Sequence, residues 1–521
     1  MQETSIGQSL PRPARTGGPS RALRILSAFI LAVALATLIV TAVASLRWRY
    51  TRDSPVVAYA GFLIDNGAVP YRDFYDINLP GTYAVMALLG RLLGWSDLGF
   101  RVFDLILLAV LSLVTFCWMR PSGRLAAASA SLAFPLYYLS AGPYMSMQRE
   151  YIALVPFAFA LALAVRLPGR RLMLRGLCVG LLSAATVLVK PNFAILALPA
   201  IMVLFHEAVR SARTGRLATA TAAGLLLPIA VTFGWLLAVG ALKPFLDIAT
   251  NFWPLYADMA GARQSIHGLA RLLYTGRSLL AGLVDSFLPW ALLGIFAIGR
   301  EGLRQQMLIM CGLVILSAIY PALTGQFLNY HWLPFHYAVL CAASLAVRLP
   351  RAERPNPVTL VPRFAVLLLL FLLSALSLFR VVRQSGPREY GMPDEVADFL
   401  TKRLKPGETV QPLDLVDGAI HGMLIARAKP ATRFLGDYVF YSHVNRPYIQ
   451  RLRREFIAEL SDAKPAFIVD VLGASSHRWP KGANTSRQFP ELQDYIVRNY
   501  DVVLQRETYR ILQARHRPAE P

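Results

Sequence analysis

Long apolar runs recur along the first three quarters of the chain, and they constrain the fold more than any other feature. A helix needs about 20 apolar residues to cross about 30 Å of hydrocarbon. With 55% hydrophobic residues and a mean hydropathy of +0.45, the 521-residue chain is too apolar for an ordinary soluble protein. We predict a polytopic α-helical membrane protein with about eleven transmembrane helices. The predicted spans are Ile25–Leu46, Leu98–Met119, Leu125–Leu139, Tyr151–Val165, Gly176–Val189, Phe193–His206, Ala218–Leu242, Leu279–Gly299, Met307–Leu323, His331–Val347 and Phe364–Val382.

The formal net charge of +22 does not indicate nucleic-acid binding, because the arginines concentrate in every second short connection between spans. The arginine-rich segments are 12–24, 120–124, 166–175, 210–216, 300–304 and 348–363. By the positive-inside rule the N-terminus is cytoplasmic, and an odd number of spans places the C-terminus outside. Only seven of the 53 basic residues are lysines, which is typical of a GC-rich bacterial genome and favours a bacterial cytoplasmic (inner) membrane.

Three regions of different composition follow one another along the chain. Residues 1–24 lack apolar periodicity and are expected to be a disordered cytoplasmic tail. Residues 25–383 hold the spans, and residues 384–521 have the mixed composition of a small extracytoplasmic α/β domain. In that domain we predict helices at 394–404 and 446–460 and strands at 466–471, 502–504 and 508–512. All four cysteines fall within spans, so none can cross-link the C-terminal domain.

Two predicted outer loops, 47–97 and 243–278, are much longer than the others, and long ordered loops are usually functional. Within the first loop, Ser54–Asn66 has apolar residues at helical spacing and is predicted to be an amphipathic helix on the membrane surface. Thr82–Gly94 is too short to span comfortably and is predicted to be a second interfacial or re-entrant helix.

Charged and polar side chains cluster on the predicted outer side. Placing such side chains in or near a membrane costs free energy, so their presence suggests a function. They are Asp53 after the first span, Asp73 and Asp76 in the first loop, Arg149 and Glu150 before the fourth span, Lys190 between the fifth and sixth, and His331 before the tenth. Each also has a structural interpretation. Asp53 would cap the following helix, and Arg149 and Lys190 would snorkel to the interface. Glu150 would pair with a cation, and His331 would pack among interfacial aromatic residues.

Longer motifs give a more specific indication. After the aspartate that follows the first span come AYAGFLIDNGAVPYRDFYDINLPGTYAVMALLGRLLGWSDLGFR, QREYIALVPFAFAL and ATVLVKPNFAILALP. The most specific element is Gly67–Trp95, in which G-x-x-P-Y-R-D-F precedes N-L-P-G and L-G-W. In these motifs the chain resembles the membrane glycosyltransferases of the GT-C fold. Within them it is similar to the bacterial relatives of protein mannosyltransferases and of the aminoarabinose and galacturonic acid transferases that act on lipid A and core.

The resemblance, which covers roughly residues 25–382, implies that a sugar is transferred from a polyprenyl-phosphate donor on the outer membrane face, with inversion at the anomeric carbon. Asp53 occupies the position of the general base. The residues that would bind the donor phosphate are Arg149, Lys190 and His331, and those that would bind the sugar or acceptor are Tyr71, Asp73, Asp76, Asn78 and Glu150. This chemistry is coherent, since a phosphate leaving group needs cations and an acceptor hydroxyl needs a carboxylate within about 3 Å.

Asp53 is followed by Ser54 rather than by a second acidic residue, so a metal held by a carboxylate pair is not expected. No cofactor is expected, and a divalent metal bound in another way stays an alternative. The expected partners are a polyprenyl-phosphate sugar donor, a glycan or glycolipid acceptor and membrane lipids.

Two other classes of function stay open. A transporter or flippase of lipid-linked sugars would also place charges near spans, although the sequence has no inverted repeat. An assembly protein would use its outer domain to bind an envelope partner, and would tolerate Asp53→Asn. The sugar is open, and so is the acceptor, which could be a glycolipid, a polysaccharide or a protein.

Overall fold

The computed structural model describes most of the chain. The described residues are 21–166, 171–259, 266, 268–281, 287–299, 304–325, 327–348, 357–386, 389–414, 416–472 and 488–515. The tail predicted for residues 1–24 lies almost entirely outside these ranges, so its disorder stays a prediction.

Sixteen α-helices precede the C-terminal domain within the described residues, in keeping with the apolar composition of this part of the chain. They are α1 (Arg21–Ala44), α2 (Ser54–Asp65), α3 (Pro80–Leu93), α4 (Asp97–Met119), α5 (Arg124–Ser140), α6 (Arg149–Arg166), α7 (Leu172–Val189), α8 (Ala194–Arg210), α9 (Thr214–Ala238), α10 (Leu242–Asp247), α11 (Trp253–Met259), α12 (Leu269–Ala281), α13 (Leu288–Gly299), α14 (Arg304–Thr324), α15 (Leu333–Ser344) and α16 (Pro357–Gln384).

Seven helical segments among the described residues are long and apolar enough to cross a membrane. They are Leu23–Arg47, Asp97–Ser122, Leu172–Val189, Pro191–Arg210, Thr214–Ala238, Met307–Thr324 and Leu360–Gln384. Each coincides with a predicted span. The protein is therefore a multi-pass membrane protein, as its sequence indicates.

The predicted number of eleven spans is not confirmed. The span 279–299 is wrong as a single helix, because Phe287 lies outside any helix with a φ of 55° and α13 begins only at Leu288. The span 331–347 contains only the 12-residue α15, flanked by single 3₁₀ turns. Helices α5 and α6 match predicted spans but are just 17 and 18 residues long. Apolar composition located these segments without determining how each one crosses the membrane.

The two short helices of the first loop occur where they are predicted, but α2 is not an amphipathic surface helix. Nine of its twelve residues are buried. It packs against α3, and the Tyr59 hydroxyl donates a hydrogen bond to Ala428 O at 2.7 Å, in the C-terminal domain. The apolar residues that suggested an interfacial helix are instead covered by protein.

The start of α3 lies directly against the end of α7. A Cβ atom on Gly81 would lie 2.6 Å from Leu188 O, so glycine is required for this approach. The adjacent Thr82 hydroxyl donates to Val189 O at 3.2 Å. These contacts hold the loop that precedes α3 against the turn at Lys190, which follows α7.

Among its described residues, the C-terminal domain contains a five-stranded mixed sheet with helices. Its elements are α17 (Met392–Arg403), β1 (Thr409–Leu413), α18 (Ala419–Ala426), β2 (Lys429–Pro430), α19 (Pro447–Ala463), β3 (Phe467–Val471), α20 (Pro490–Asn499), β4 (Tyr500–Gln505) and β5 (Tyr509–Ala514). The strand order is β2-β1-β3-β5-β4; β1 is parallel to β2 and β3, and β5 is antiparallel to β3 and β4. The small α/β domain is confirmed.

Ion pairs fasten this domain to both long loops. Arg49, after α1, bonds to Asp97 at 3.1 Å and to Asp394 of α17 at 2.6 Å. In the second loop, Asp247 receives a hydrogen bond from Arg451 of α19 at 2.6 Å. The C-terminal domain is thus placed over the helix ends where the predicted functional residues lie.

Candidate active site

Asp53 lies at the turn that begins α2, and its carboxylate does not cap that helix. The Ser54 hydroxyl serves the turn instead, since it accepts from Thr51 N–H at 3.1 Å and donates to Thr51 O at 2.7 Å. The Tyr330 hydroxyl donates to Asp53 Oδ2 at 3.3 Å. Asp53 is half-buried, and this hydrogen bond orients its carboxylate. The capping role that the sequence suggests is therefore not the role of this side chain.

Glu150 is fully buried and is the centre of a cluster of polar side chains. Its Oε1 atom lies 2.9 Å from Lys190 Nζ and accepts a hydrogen bond from the Tyr320 hydroxyl at 3.1 Å. His331 Nε2 lies 3.6 Å from the same oxygen. The imidazole is itself buried, and its Nδ1 lies 3.0 Å from Thr324 Oγ1. A buried carboxylate is tolerated only with such partners, so Glu150 draws α6, the Lys190 turn and α14 together.

Arg149 points toward the first loop. Its guanidinium donates a hydrogen bond to Asn78 Oδ1. The Asn78 amide in turn donates to both carboxylate oxygens of Asp76, at 3.1 and 3.0 Å, and Tyr71 donates to Asn78 O at 2.5 Å. Burial raises the pKa of Asp76, and the hydrogen bonds from Asn78 and Ile77 N–H oppose that effect. A chain of polar contacts thus runs from the first loop to the guanidinium.

The Glu150 cluster and the polar contacts of Arg149 form one site, because they share neighbouring residues and act on one another electrostatically. Arg149 and Glu150 are adjacent at the start of α6. The Asp53 carboxylate acts on both Arg149 and Lys190, so the candidate base lies within range of both candidate phosphate ligands. The structure therefore brings together the N-terminal ends of α2 and α6, the Lys190 turn and the segment before α15.

A second buried ion pair, below this site, holds the connections that lead to it. Arg101 and Asp104 of α4 are both fully buried and bonded to one another. Arg101 also donates to Ser45 Oγ at 2.8 Å and to Ser146 Oγ at 2.9 Å. Asp104 accepts from the Tyr138 hydroxyl at 2.6 Å. The pair therefore ties the chain just before Asp53 and just before Arg149 to the same turn of α4, without contacting the site itself.

Asp73 is placed differently from the other predicted residues. Its carboxylate is partly exposed and bonds to Arg72 at 2.7 Å and to Val69 N–H at 2.8 Å. The hydrogen bond and charge of Arg72 lower the pKa of Asp73. Among the contacts described, Asp73 is linked to its own loop rather than to Arg149 or Asp53, and its predicted sugar contact stays a prediction.

Several functional contacts were not predicted. Tyr330 and Tyr320, which bind the two carboxylates, belong to segments that read only as apolar helix or interfacial aromatic residues. For Tyr330, the one available indication was its position next to His331. Nothing in the sequence indicated the buried Arg101–Asp104 pair beyond two charges inside a span, which usually mark internal pairing or function.

An apolar cavity of about 720 Å³ lies beside the site. Side chains of α3, α4, α6, α7 and α9 line it, among them Leu107, Pro156, Val189 and Trp235. Tyr83 connects the cavity to the polar groups, since it lies on the cavity wall while its ring packs against Tyr71 and Phe74 of the first loop, with centroids 6.0 and 5.6 Å apart. The cavity is apolar enough for a lipid chain.

Within the part of the chain that the structure describes, no three His, Cys, Asp or Glu residues are grouped as a metal site would require. The acidic residues of the site are bonded instead to lysine, asparagine and tyrosine side chains.

The helices, the charged helix ends and the docked C-terminal domain together define a multi-pass membrane protein of the GT-C fold. The chain is similar to ArnT from Cupriavidus metallidurans in the apo state, at 16% identity and a TM-score of 0.58, over 94% of this chain and 98% of that one. The same protein bound to undecaprenyl phosphate gives a TM-score of 0.59 at 16% identity, over 93% and 97% of the two chains.

The apo oligosaccharyltransferase of Archaeoglobus fulgidus aligns at 14% identity with a TM-score of 0.44, over 84% of this chain and 69% of that one. No family model matches the sequence, and no curated protein does. At 16% identity the similarity to ArnT establishes the fold. The GT-C resemblance noted in the sequence motifs is therefore confirmed as a resemblance of fold.

Proposed function

We propose that this protein is a glycosyltransferase that moves a sugar from a polyprenyl-phosphate donor to a glycolipid, polysaccharide or protein acceptor. The observation that carries the proposal is the arrangement of Asp53. Its half-buried carboxylate lies within electrostatic range of Arg149 and Lys190, next to a large apolar cavity. A base, cations for a phosphate and space for a lipid chain are what this reaction requires.

Asp53 acts as the general base. The acceptor hydroxyl gives its proton to the Asp53 carboxylate while its oxygen forms the new bond to the anomeric carbon. The bond from that carbon to the donor phosphate oxygen breaks at the same time, and its electron pair leaves with polyprenyl phosphate. A single displacement of this kind inverts the anomeric configuration. The hydrogen bond from Tyr330 supports this role, because it fixes the direction of the carboxylate.

Arg149 and Lys190 stabilise the leaving phosphate, since both cations lie at helix ends and both are close to Glu150, Arg149 as its neighbour in sequence and Lys190 as its ion-pair partner. Arg149 can bind a phosphate with two N–H groups, and Asn78 and Asp76 hold it in direction. We also assign His331 to the phosphate side, as the sequence motifs suggest. Glu150 is assigned here as the residue that positions Lys190 and His331, because it is buried behind them. Tyr71, Asp76 and Asn78 form the wall on the sugar side.

The lipid chain of the donor occupies the apolar cavity. ArnT, which has the same fold, was captured with undecaprenyl phosphate, and we carry that class of ligand over to this chain. The excess of arginine over lysine supports a bacterial inner membrane. The distribution of the arginines supports an N-terminus in the cytoplasm, with the site and C-terminal domain on the outer face.

The proposal is tested by incubating the purified protein with a panel of radiolabelled polyprenyl-phosphate pentoses and hexoses and with a membrane lipid extract. Wild type and Asp65→Asn should transfer label from at least one donor, while Asp53→Asn should not. Asp65 is the matched control, since it lies at the other end of α2 in an exposed ion pair with Arg91. Absence of transfer from every donor would contradict the proposal and favour a transporter or an assembly protein.

A further inference from the structure

A short segment of the C-terminal domain reaches the candidate active site. The 3₁₀ turn Asp437–Phe440 lies between β2 and α19, and its second residue, Tyr438, is only 8% exposed. The ring of Tyr438 packs edge-on against Phe252 and Tyr256 of the second long loop, with centroids 6.1 and 6.2 Å apart. Tyr438 is therefore buried between its own domain and the membrane part.

Tyr438 also lies near the first loop of the site. Phe252, against which its ring packs, packs in turn against Tyr75 with ring centroids 5.6 Å apart. Tyr75 directly precedes Asp76, which is linked through Asn78 to Arg149. The electrostatic neighbours of Tyr438 include Asp53, Asp76 and Arg149. Tyr438 therefore lies where the C-terminal domain, the second long loop and the first loop meet.

The segment is fixed from the membrane side by Tyr75 of the first loop. Tyr75 N–H donates to Arg433 O at 2.6 Å, and its ring stacks on Phe434 with centroids 5.5 Å apart. From the other side, Arg453 of α19 donates to Phe440 O at 2.7 and 2.9 Å. The chain on both sides of Tyr438 is therefore bonded, so its side chain is held in place before any substrate binds.

We propose that the Tyr438 hydroxyl binds the sugar that is being transferred, so that the C-terminal domain forms part of the substrate site and contributes to the choice of sugar. This inference rests on the proposed glycosyl transfer. In that reaction the sugar lies between the base and the leaving phosphate, and Tyr438 lies beside the first loop, whose Asp76 is linked through Asn78 to Arg149.

The residue type suits this role. A tyrosine offers an apolar ring to the carbon face of a sugar and a hydroxyl that donates or accepts one hydrogen bond. A site that hydrogen-bonds a substrate hydroxyl discriminates strongly against an analogue that lacks it, because the buried partner is then left unpaired. Tyr438 therefore determines specificity and is not required for the chemistry itself.

The test compares Tyr438→Phe with wild type on the donor that the panel identifies and on its deoxy analogues. The matched control is Tyr441→Phe, three residues further on, since Tyr441 is also buried but its electrostatic neighbours, Asp437, Asp470 and Arg453, belong to its own domain. We expect Tyr438→Phe to lose about fivefold to tenfold in kcat/KM on the full donor. With one deoxy donor it should equal wild type, because the hydroxyl that Tyr438 would bind is already missing. Tyr441→Phe should match wild type on every donor.

Binding of polyprenyl phosphate alone, measured by thermal shift, is the control, because a general structural defect would change it. It should be the same in wild type and Tyr438→Phe. Equal loss by Tyr438→Phe on the full donor and on all deoxy donors would overturn the inference, and so would full activity. These results differ from failure of the proposed function, in which wild type itself would transfer from no donor.

Discussion

Asp53 and Glu150 are two carboxylates of one site that are held in opposite ways. Glu150 has no exposed surface and is shared among Lys190, Tyr320 and His331. Asp53 is half-buried and is oriented by the Tyr330 hydroxyl. Burial of a charge requires paired partners, so Glu150 stabilises the structure, while the more open Asp53 can accept a proton. In the proposed mechanism, the partners of each carboxylate decide which one acts as the base and which one positions other residues.

The largest expected effect is on the open carboxylate. Asp53→Asn should lower kcat for sugar transfer about 10²- to 10⁴-fold, because the amide cannot take the acceptor proton. Its unfolding temperature should match wild type, since the side chain is only half-buried. Initial rates and thermal unfolding in detergent, with Asp65→Asn as the control, measure both quantities. A rate within threefold of wild type would remove Asp53 from the chemistry.

Substitution of the buried carboxylate, Glu150, should affect stability more than the transfer rate. Glu150→Gln should lower the free energy of unfolding by about 3 to 5 kcal/mol, because it leaves the Lys190 ammonium in a buried place without its ion-pair partner. Denaturant unfolding in micelles measures the change, with exposed Glu507→Gln as the control for loss of a carboxylate. If Glu150→Gln were as stable as wild type, the cluster would not have the structural role assigned to it.

A double substitution separates the two roles of Lys190. Glu150→Gln with Lys190→Gln should regain most of the stability that Glu150→Gln loses, because no unpaired charge remains. Transfer should stay at least about tenfold below wild type, with a raised KM for the donor, since the phosphate has lost one cation. Unfolding and steady-state kinetics of the single and double variants test this. Recovery of transfer in the double variant would show that Lys190 serves only Glu150.

The two tyrosines that hydrogen-bond to these carboxylates should differ in the same way, one affecting mainly the transfer rate and the other mainly stability. Tyr330→Phe should slow transfer about threefold to tenfold at unchanged stability, because Asp53 loses the hydrogen bond that orients it. Tyr320→Phe should cost about 1 kcal/mol of stability and affect the rate less, because its partner is Glu150. Parallel rates and unfolding temperatures of the two variants test the division, and the opposite pattern would contradict it.

The smallest effect concerns pH and Asp76. Burial raises the pKa of Asp76 above its ordinary value of 3.8, so the folded state holds the proton to a higher pH than the unfolded state does. Stability should therefore fall as pH rises from about 4 through the raised pKa. Asp76→Asn removes this titration. The unfolding temperature of the variant, relative to that of wild type, should therefore rise between pH 4 and pH 7. A constant difference across that range would show that Asp76 is ionised in the folded protein as easily as in the unfolded one.

The sequence predicted those features that depend on local apolar pattern. Seven long helices match predicted spans, and the placement of Lys190 in a turn between α7 and α8 follows from an apolar stretch too long for one crossing. The strand β1 was missed because its sequence, TVQPL, is short and contains a proline, which usually argues against a paired strand.

Long-range contacts in the site could not be predicted. The Tyr330 and Asp53 side chains meet across 277 residues, and Tyr438 reaches the site from a separate domain. Periodicity describes which face of a helix is apolar, but it does not state which helix that face will meet. The resemblance in motifs named Asp53, Arg149 and Lys190, while their hydrogen-bond partners emerged only from the packing.

The central claim is a single displacement in which Asp53 deprotonates the acceptor, and the stereochemistry of the product tests it most directly. With the donor that wild type accepts, the anomeric configuration of the new linkage would be determined by NMR, and released polyprenyl phosphate would be counted against sugar transferred. We predict inversion, with one polyprenyl phosphate released for each sugar. Retention of configuration would require a second displacement through another nucleophile and would contradict the assignment of Asp53 as the base.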